Sequence, residues 1–239
     1  METIRRVYQK EIELIAATSR RLGELGYVAS HGGNLSFRVS NEHVLITPTK
    51  VVKRLIEPDD IVVVSMQGET LSALKERKPT GETPMHLMIL RMRPDLNGIV
   101  HAHPPVLTGF SMVDTDVLAK PLLPEPVLEI GPLVQVPYAE PISEELANQF
   151  ASRIHFSNAW LMRNHGVTIA SSEKVDRALE LMEMAEAMAS SVVVASSLGS
   201  LTFISAEEVE RMERTLKTRN MPRPGDPRKV TSLTDLYYR

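Results

Sequence analysis

Two histidines separated by one residue, His101-Ala102-His103, end the apolar run Gly98-Ile99-Val100. Ile99 and Val100 favour an extended strand, in which side chains two residues apart leave the same face. The pair can therefore offer two imidazoles to one ion, and imidazole suits zinc, copper, nickel and iron. Alone, such a pair also fits two core histidines at a strand end. A third imidazole, His165, stands in Asn164-His165-Gly166, where glycine permits close backbone approach. Glu82 lies at the mouth of a helix that leads into the histidine-bearing strand. Three imidazoles plus a carboxylate or water would form a four-coordinate zinc site with an exchangeable position, the catalytic pattern. Taken singly, Glu82 also reads as an ordinary anion at a helix N-terminus.

Bringing these groups together requires a sheet with helices packed on it. Residues 4–25 place Ile4, Val7, Ile12, Ile15 and Ala16 at helical spacing before Gly26 stops the helix. After Gly32-Gly33, Leu35 and Phe37 alternate as a strand would; residues 44–47 and 61–65 read as strands, and Gln67-Gly68-Glu69 as a turn. Pro79-Thr80-Gly81-Glu82-Thr83-Pro84 opens a helix capped by Thr80 or Thr83, with Met85, Met88, Ile89 and Met92 on its buried face. Residues 121–141 are proline-rich and irregular around a short strand at 133–136. Strands at 160–162 and 167–169 flank His165, and 173–197 reads as a long helix. Ser205-Ala206-Glu207-Glu208 forms a capping box for the last helix. The expected fold is one α/β domain over residues 1–220, with a central, mostly antiparallel sheet flanked by helices. Residues 221–239 read as a Pro- and Gly-rich tail, expected to be disordered.

Composition narrows the chemistry. The 239 residues are 43% hydrophobic, enough for a proper core, and carry a net charge of -3. Aromatic residues make up 5%, which argues against a stacking platform for single-stranded nucleic acid. With no long basic tract, a phosphate-backbone partner is not expected. The absence of cysteine excludes disulfides, thiolate metal sites and cysteine nucleophiles. The N-terminus is charged and amphipathic rather than a signal peptide, and no run reaches the length of a membrane span. A cytoplasmic protein without a membrane partner is the expectation.

Five short motifs occur together: Gly33-Asn34-Leu35-Ser36, Thr47-Pro48-Thr49, Pro79-Thr80-Gly81-Glu82, His101-Ala102-His103 and Asn164-His165-Gly166. In order and spacing, from about Glu11 to Met212, they resemble the class II aldolase/adducin family, and within it the fuculose-phosphate aldolase-like bacterial enzymes. The resemblance implies a homotetramer with active sites at subunit interfaces, acting on a small-molecule substrate. It implies zinc, or another divalent transition metal, on His101, His103 and His165, with Glu82 as the acid/base. Gly33, Asn34, Thr49 and Thr80 match positions that cradle the substrate phosphate.

Lys50 and Gly81 border those positions but depart from the family, where a glycine and a second serine are usual. Lys50 is either a solvated side chain or an anion contact. Tyrosines that donate protons in the aldolases have no counterpart near 123–126 or 218–220. Tyr237 or Tyr238 could replace the late one from the tail, and Tyr138 reads as structural. His31 could face the pocket, His86 is either a support for the site or core, and His43 and His155 read as surface. The implied activity is a lyase that breaks or forms a C–C bond beside a carbonyl of a sugar or sugar acid, phosphorylated or not, through a metal-stabilised enediolate. Decarboxylation of a 3-keto sugar acid shares that intermediate and is the alternative; 4-epimerisation and a non-catalytic scaffold rank below it.

Overall fold

Short β-branched and apolar segments pair into one eight-stranded sheet in the computed structural model, which describes residues 2–238. The strands are β1 (Asn34–Arg38), β2 (His43–Ile46), β3 (Val62–Ser65), β4 (Thr70–Ser72), β5 (Gly98–Ala102), β6 (Leu133–Val136), β7 (Ala159–Met162) and β8 (Gly166–Ser171). Their order is β4-β3-β2-β1-β5-β8-β7-β6. Neighbours run antiparallel except β6 and β7, which are parallel. The helices are α1 (Glu2–Val7), α2 (Gln9–Glu24), α3 (Thr83–Met92), α4 (Pro105–Ser111), α5 (Pro124–Glu129), α6 (Glu144–Phe150), α7 (Val175–Leu198), α8 (Ala206–Arg219) and α9 (Thr234–Tyr237).

Strand periodicity divides the core in two. Leu35, Phe37, Leu45, Val63, Val100 and Val167 pack on one face with Ile12 and Ile15 of α2 and Leu179 and Met182 of α7. Val44, Ile46, Val62, Val64, Ile99 and Trp160 pack on the other with Met85, Leu87 and Ile89 of α3 and Phe150 of α6. Because both faces are covered, β3 and β5 are buried along their whole length. His101 shares the parity of Ile99, so it projects from the face that carries α3.

Several elements differ from the expectations. The first helix is broken at Tyr8. The proline-rich stretch holds α5, whose Pro124 occupies a first-turn position that needs no amide donor. The three-residue β4 and the short α4 and α6 lacked a readable period. Glu82, rather than either threonine, is the N-cap of α3 and makes no side-chain capping bond. The long helix α7 is, by length and composition, apolar enough to cross a membrane, contrary to the expectation that no run reaches that length. Its apolarity has a local reason: Val175, Leu179, Met182, Ala185, Ala189 and Val192 are buried against the sheet and its neighbouring helices.

The segment after Asn220 is packed rather than disordered. Arg223 pairs with the buried Glu213 at 2.9 Å, and Val230 and Leu233 are buried. Asp226 is fully buried and accepts from Arg228 and from His155 Nδ1, so His155 is part of this clamp and not a surface residue. Burial pushes the Asp226 carboxyl up, but the hydrogen bonds from Arg228 and His155 outweigh it and hold the group well below the usual carboxylate range. Beside it, the fully buried Arg93 donates to Ile154 O (2.8 Å), Ser157 O (2.9 Å), Asn158 Oδ1 (2.8 Å) and both Asp95 oxygens. Arg93→Met would remove this donor from Ile154 O, Ser157 O and the Asp95 carboxylate, and leave Asn158 Oδ1 only the Gly225 amide at 3.2 Å. A loss of about 3–5 kcal/mol in unfolding free energy is expected, read from urea denaturation; a change below about 1 kcal/mol would show the network to be dispensable.

Candidate active site

The sheet register sets one of the three imidazoles, and the end of the same strand sets a second. β5 lies between β1 and β8, with His101 opposite Asn34 on one side and Thr168 on the other. His103 follows the end of β5, where its amide donates to Tyr27 O. Glu186 then caps the next helix: its carboxylate accepts from the amides of Val106 and Leu107, both at 2.8 Å. His165 sits in the turn between β7 and β8, after Asn164 in a left-handed conformation. Gly166 is required there, because a Cβ would lie 2.5 Å from both Ala102 O and His103 Cδ2. Gly33 meets a similar demand, with φ +68 and a would-be Cβ 2.5 Å from Val28 Cγ1.

The three rings converge. Their centroids are 4.8–5.4 Å apart, and one ligand nitrogen from each lies within 4.8 Å of the others. His101, 1% exposed, has Nδ1 at 3.1 Å from Val167 O and 3.2 Å from Thr168 Oγ1. A proton on that nitrogen satisfies the carbonyl and leaves the Nε2 lone pair free. His101 Nε2 stands 3.2 Å from His103 Nε2. Two nitrogens at tetrahedral zinc–imidazole distances would be separated by about 3.3 Å.

Glu82 enters from the start of α3, 6% exposed. Its Oε2 is 3.4 Å from His101 Nε2 and its Oε1 is 3.6 Å from His165 Nε2. Glu82 Oε1 and His165 Nδ1 are buried without a hydrogen-bond partner. The orphaned Glu82 oxygen, 3.6 Å from His165 Nε2, and the facing lone pairs of His101 and His103 fit a divalent cation. Burial and the neighbouring rings lower the pKa of His101 and His103, and burial lowers that of His165 despite the opposing pull of Glu82. All three are thus held in the neutral, ligating form.

A buried chain fixes Glu82. Asn34 Nδ2 donates to Glu82 Oε2 at 2.7 Å, His86 Nε2 bonds Asn34 Oδ1, and Ser36 Oγ bonds His86 Nδ1 at 2.7 Å. His86 is fully buried, which pushes its pKa down to about 3, so it serves as a neutral link. The Asn34 side chain, read from sequence as part of a phosphate cradle, is thus committed to Glu82 and His86.

A cavity of about 320 Å³ opens over the cluster, bordered by each residue selected from sequence: Gly33, Asn34, Thr49, Lys50, Thr80, Gly81, Glu82, His101, His103 and His165. Lys50 has φ +57, which explains why glycine suits that position. A side chain at Gly81 would meet Ile142 Cγ2 at 2.8 Å, so Ile142 fills the space that a serine would take. His31 borders the cavity as anticipated; Pro141, Ile142 and Lys53 were missed. For Lys53 the available signal was its spacing, three residues after Lys50. Tyrosine is absent from the lining among the described residues, and the Tyr238 hydroxyl is tied to Ile204 O. A larger cavity, about 650 Å³, lies under the C-terminal segment, but its Arg177 and Arg223 are already paired with Glu129 and Glu213.

Comparison with known proteins agrees with this arrangement. Residues 13–193 match the model for the class II aldolase and adducin N-terminal domain. The 3-oxo-tetronate 4-phosphate decarboxylase of Haemophilus influenzae is 31% identical over 177 residues, covering 73% of this chain and 83% of that protein. The 5-deoxy-D-ribulose 1-phosphate aldolase of Bacillus thuringiensis is 29% identical over 208 residues, covering 86% and 95%. A solved L-fuculose 1-phosphate aldolase superposes with a TM-score of 0.76 at 25% identity, covering 87% of this chain and 96% of its own. With its motifs gathered in one cavity and most of its length matched, the chain belongs to the class II aldolase and adducin family.

Proposed function

We propose that this protein is a carbon–carbon lyase, dependent on zinc or another divalent transition metal, that acts beside the carbonyl of a small phosphorylated sugar or sugar acid. The observation that carries the reading is the convergence of His101, His103 and His165 on one point, with an unbonded Glu82 oxygen beside it. The relatives named above act on phosphorylated substrates by aldol or decarboxylase chemistry. A cytoplasmic homotetramer with sites at subunit interfaces belongs to the same proposal. Exposed apolar side chains at Val193, Val194, Leu198 and Phe203 are consistent with an interface.

Held by the three histidines, a divalent cation would polarise the substrate carbonyl and stabilise the charge left when the neighbouring bond breaks. The chain supplies the rest. Glu82, oriented by Asn34 and His86, takes the hydroxyl proton as an aldol bond cleaves and can return it to carbon. Val167 O fixes the His101 tautomer. Gly33, Thr49 and Thr80 line the remainder of the cavity for the distal group.

One observation favours decarboxylation as a second reading: among the described residues, the cavity lining has no tyrosine. Loss of CO2 requires only a proton delivered to carbon, whereas aldol cleavage also needs a group to take the hydroxyl proton of the departing aldehyde and to return it in condensation. The two are separated by assaying the zinc-loaded protein for condensation of dihydroxyacetone phosphate with lactaldehyde or glycolaldehyde, and for CO2 release from a 3-oxo-tetronate 4-phosphate. One activity is expected, lost on chelation and restored by metal. Stoichiometric metal with neither activity, or activity indifferent to chelation, would overturn the proposal.

A further inference from the structure

The proton chemistry above does not use Lys53, which borders the cavity and is 1% exposed. Its ammonium donates to His31 O at 3.1 Å and Val51 O at 3.0 Å. An ammonium has three N–H donors, so one remains. No carboxylate lies within ion-pair distance of it among the described residues. Burial pushes its pKa down to about 8, so at neutral pH the charge is retained. A buried charge is normally paired, and here the fold supplies no counter-ion.

The surroundings indicate what the missing partner is. The carbonyl that Lys53 holds belongs to His31, at the start of the loop His31-Gly32-Gly33 along the cavity wall. On that loop a Cβ at Gly32 would lie 3.5 Å from His103 Nδ1, so the loop links Lys53 to the histidine cluster. Lys50, on the same wall, likewise has no carboxylate partner among the described residues and keeps a left-handed backbone (φ +57) that a lysine rarely adopts. The hydroxyl-bearing Thr49 and Thr80 complete this wall. Two unneutralised cations and two hydroxyls match a phosphate monoester, whose charge near neutrality is about -2.

We propose that Lys53 is the counter-ion for the substrate's phosphate group, with Lys50 assisting at the rim. This assigns a binding residue to the site and rests on the lyase reading only for what the rest of the substrate is. A carboxylate would neutralise one charge and leave the other.

The test uses the metal-loaded protein and methyl phosphate as probe, with acetate in parallel. Methyl phosphate should raise the melting temperature of the wild type and of Lys53→Arg, with acetate ineffective. Lys53→Met should weaken methyl phosphate binding about 10–100-fold, the range for a hydrogen bond to a charged group. Its metal content should be unchanged. In turnover, Lys53→Met should raise KM for a phosphorylated substrate far more than it lowers kcat. Undiminished methyl phosphate binding in Lys53→Met overturns the proposal. So does acetate protecting as well as methyl phosphate, or Lys53→Met losing metal while phosphate protection persists. Binding is read without turnover, so a protein with no lyase activity but Lys53-dependent phosphate binding would refute the reaction and keep this site.

Discussion

Glu82→Gln is expected to lower kcat by about 10²–10⁴-fold, the range for a positioned acid/base, while the metal stays bound. Gln preserves the size of the side chain and can keep an oxygen toward Asn34 Nδ2, the donor now 2.7 Å from Glu82 Oε2. Its amide nitrogen must then face the position of Oε1, 3.6 Å from His165 Nε2. An amide there can donate a hydrogen bond but cannot accept a proton, so positioning survives and proton transfer does not. The three imidazoles are untouched, and metal analysis should show full loading. Unchanged turnover in the loaded variant would remove Glu82 from the mechanism, whatever its contacts.

Much of this site was legible in the sequence because strand periodicity is strict. His101 and His103 had to share a face, and the register against β1 and β8 is what places His101 between Asn34 and Thr168. Gly166 signalled a close backbone approach, and the structure shows Ala102 O and the His103 ring as the neighbours that demand it. The family resemblance supplied Glu82, whose own residue type allowed an ordinary helix end.

What stayed hidden depended on tertiary contacts. Asn34 is a polar residue beside a glycine in sequence, and only the fold reveals that its amide nitrogen donates to Glu82 while its oxygen bonds His86. Lys53 looks solvated until its burial is seen. The C-terminal segment has the composition of a loose tail, yet Asp226 and Arg223 find partners in His155 and Glu213 from far upstream. The short helices α4 and α5 begin with prolines, which obscure a helix that is only two turns long.

His101→Ala tests the premise on which the other site residues depend. Of the three imidazoles it is the most buried, and the only one with Nδ1 held by a backbone carbonyl and a threonine hydroxyl. Removing a partner behind a ligating histidine costs about 10–100-fold in metal affinity, so removing the ligand itself should cost more than about 100-fold. Linkage gives a second readout. Zinc at about 100 times its Kd stabilises a folded protein by about 2.7 kcal/mol, or about 5–10 °C in Tm for a chain of this size. The wild type should show that rise after chelator treatment and zinc return, and His101→Ala should not at the same concentration. The sign follows from linkage: the three imidazoles meet only in the folded chain, so a cation that needs all three binds the native state and metal binding and folding reinforce each other. A His101→Ala protein that remains fully loaded and gains the same stability would show that His101 is not a ligand and that the metal does not depend on the three-ring cluster, and the lyase reading would lose its support.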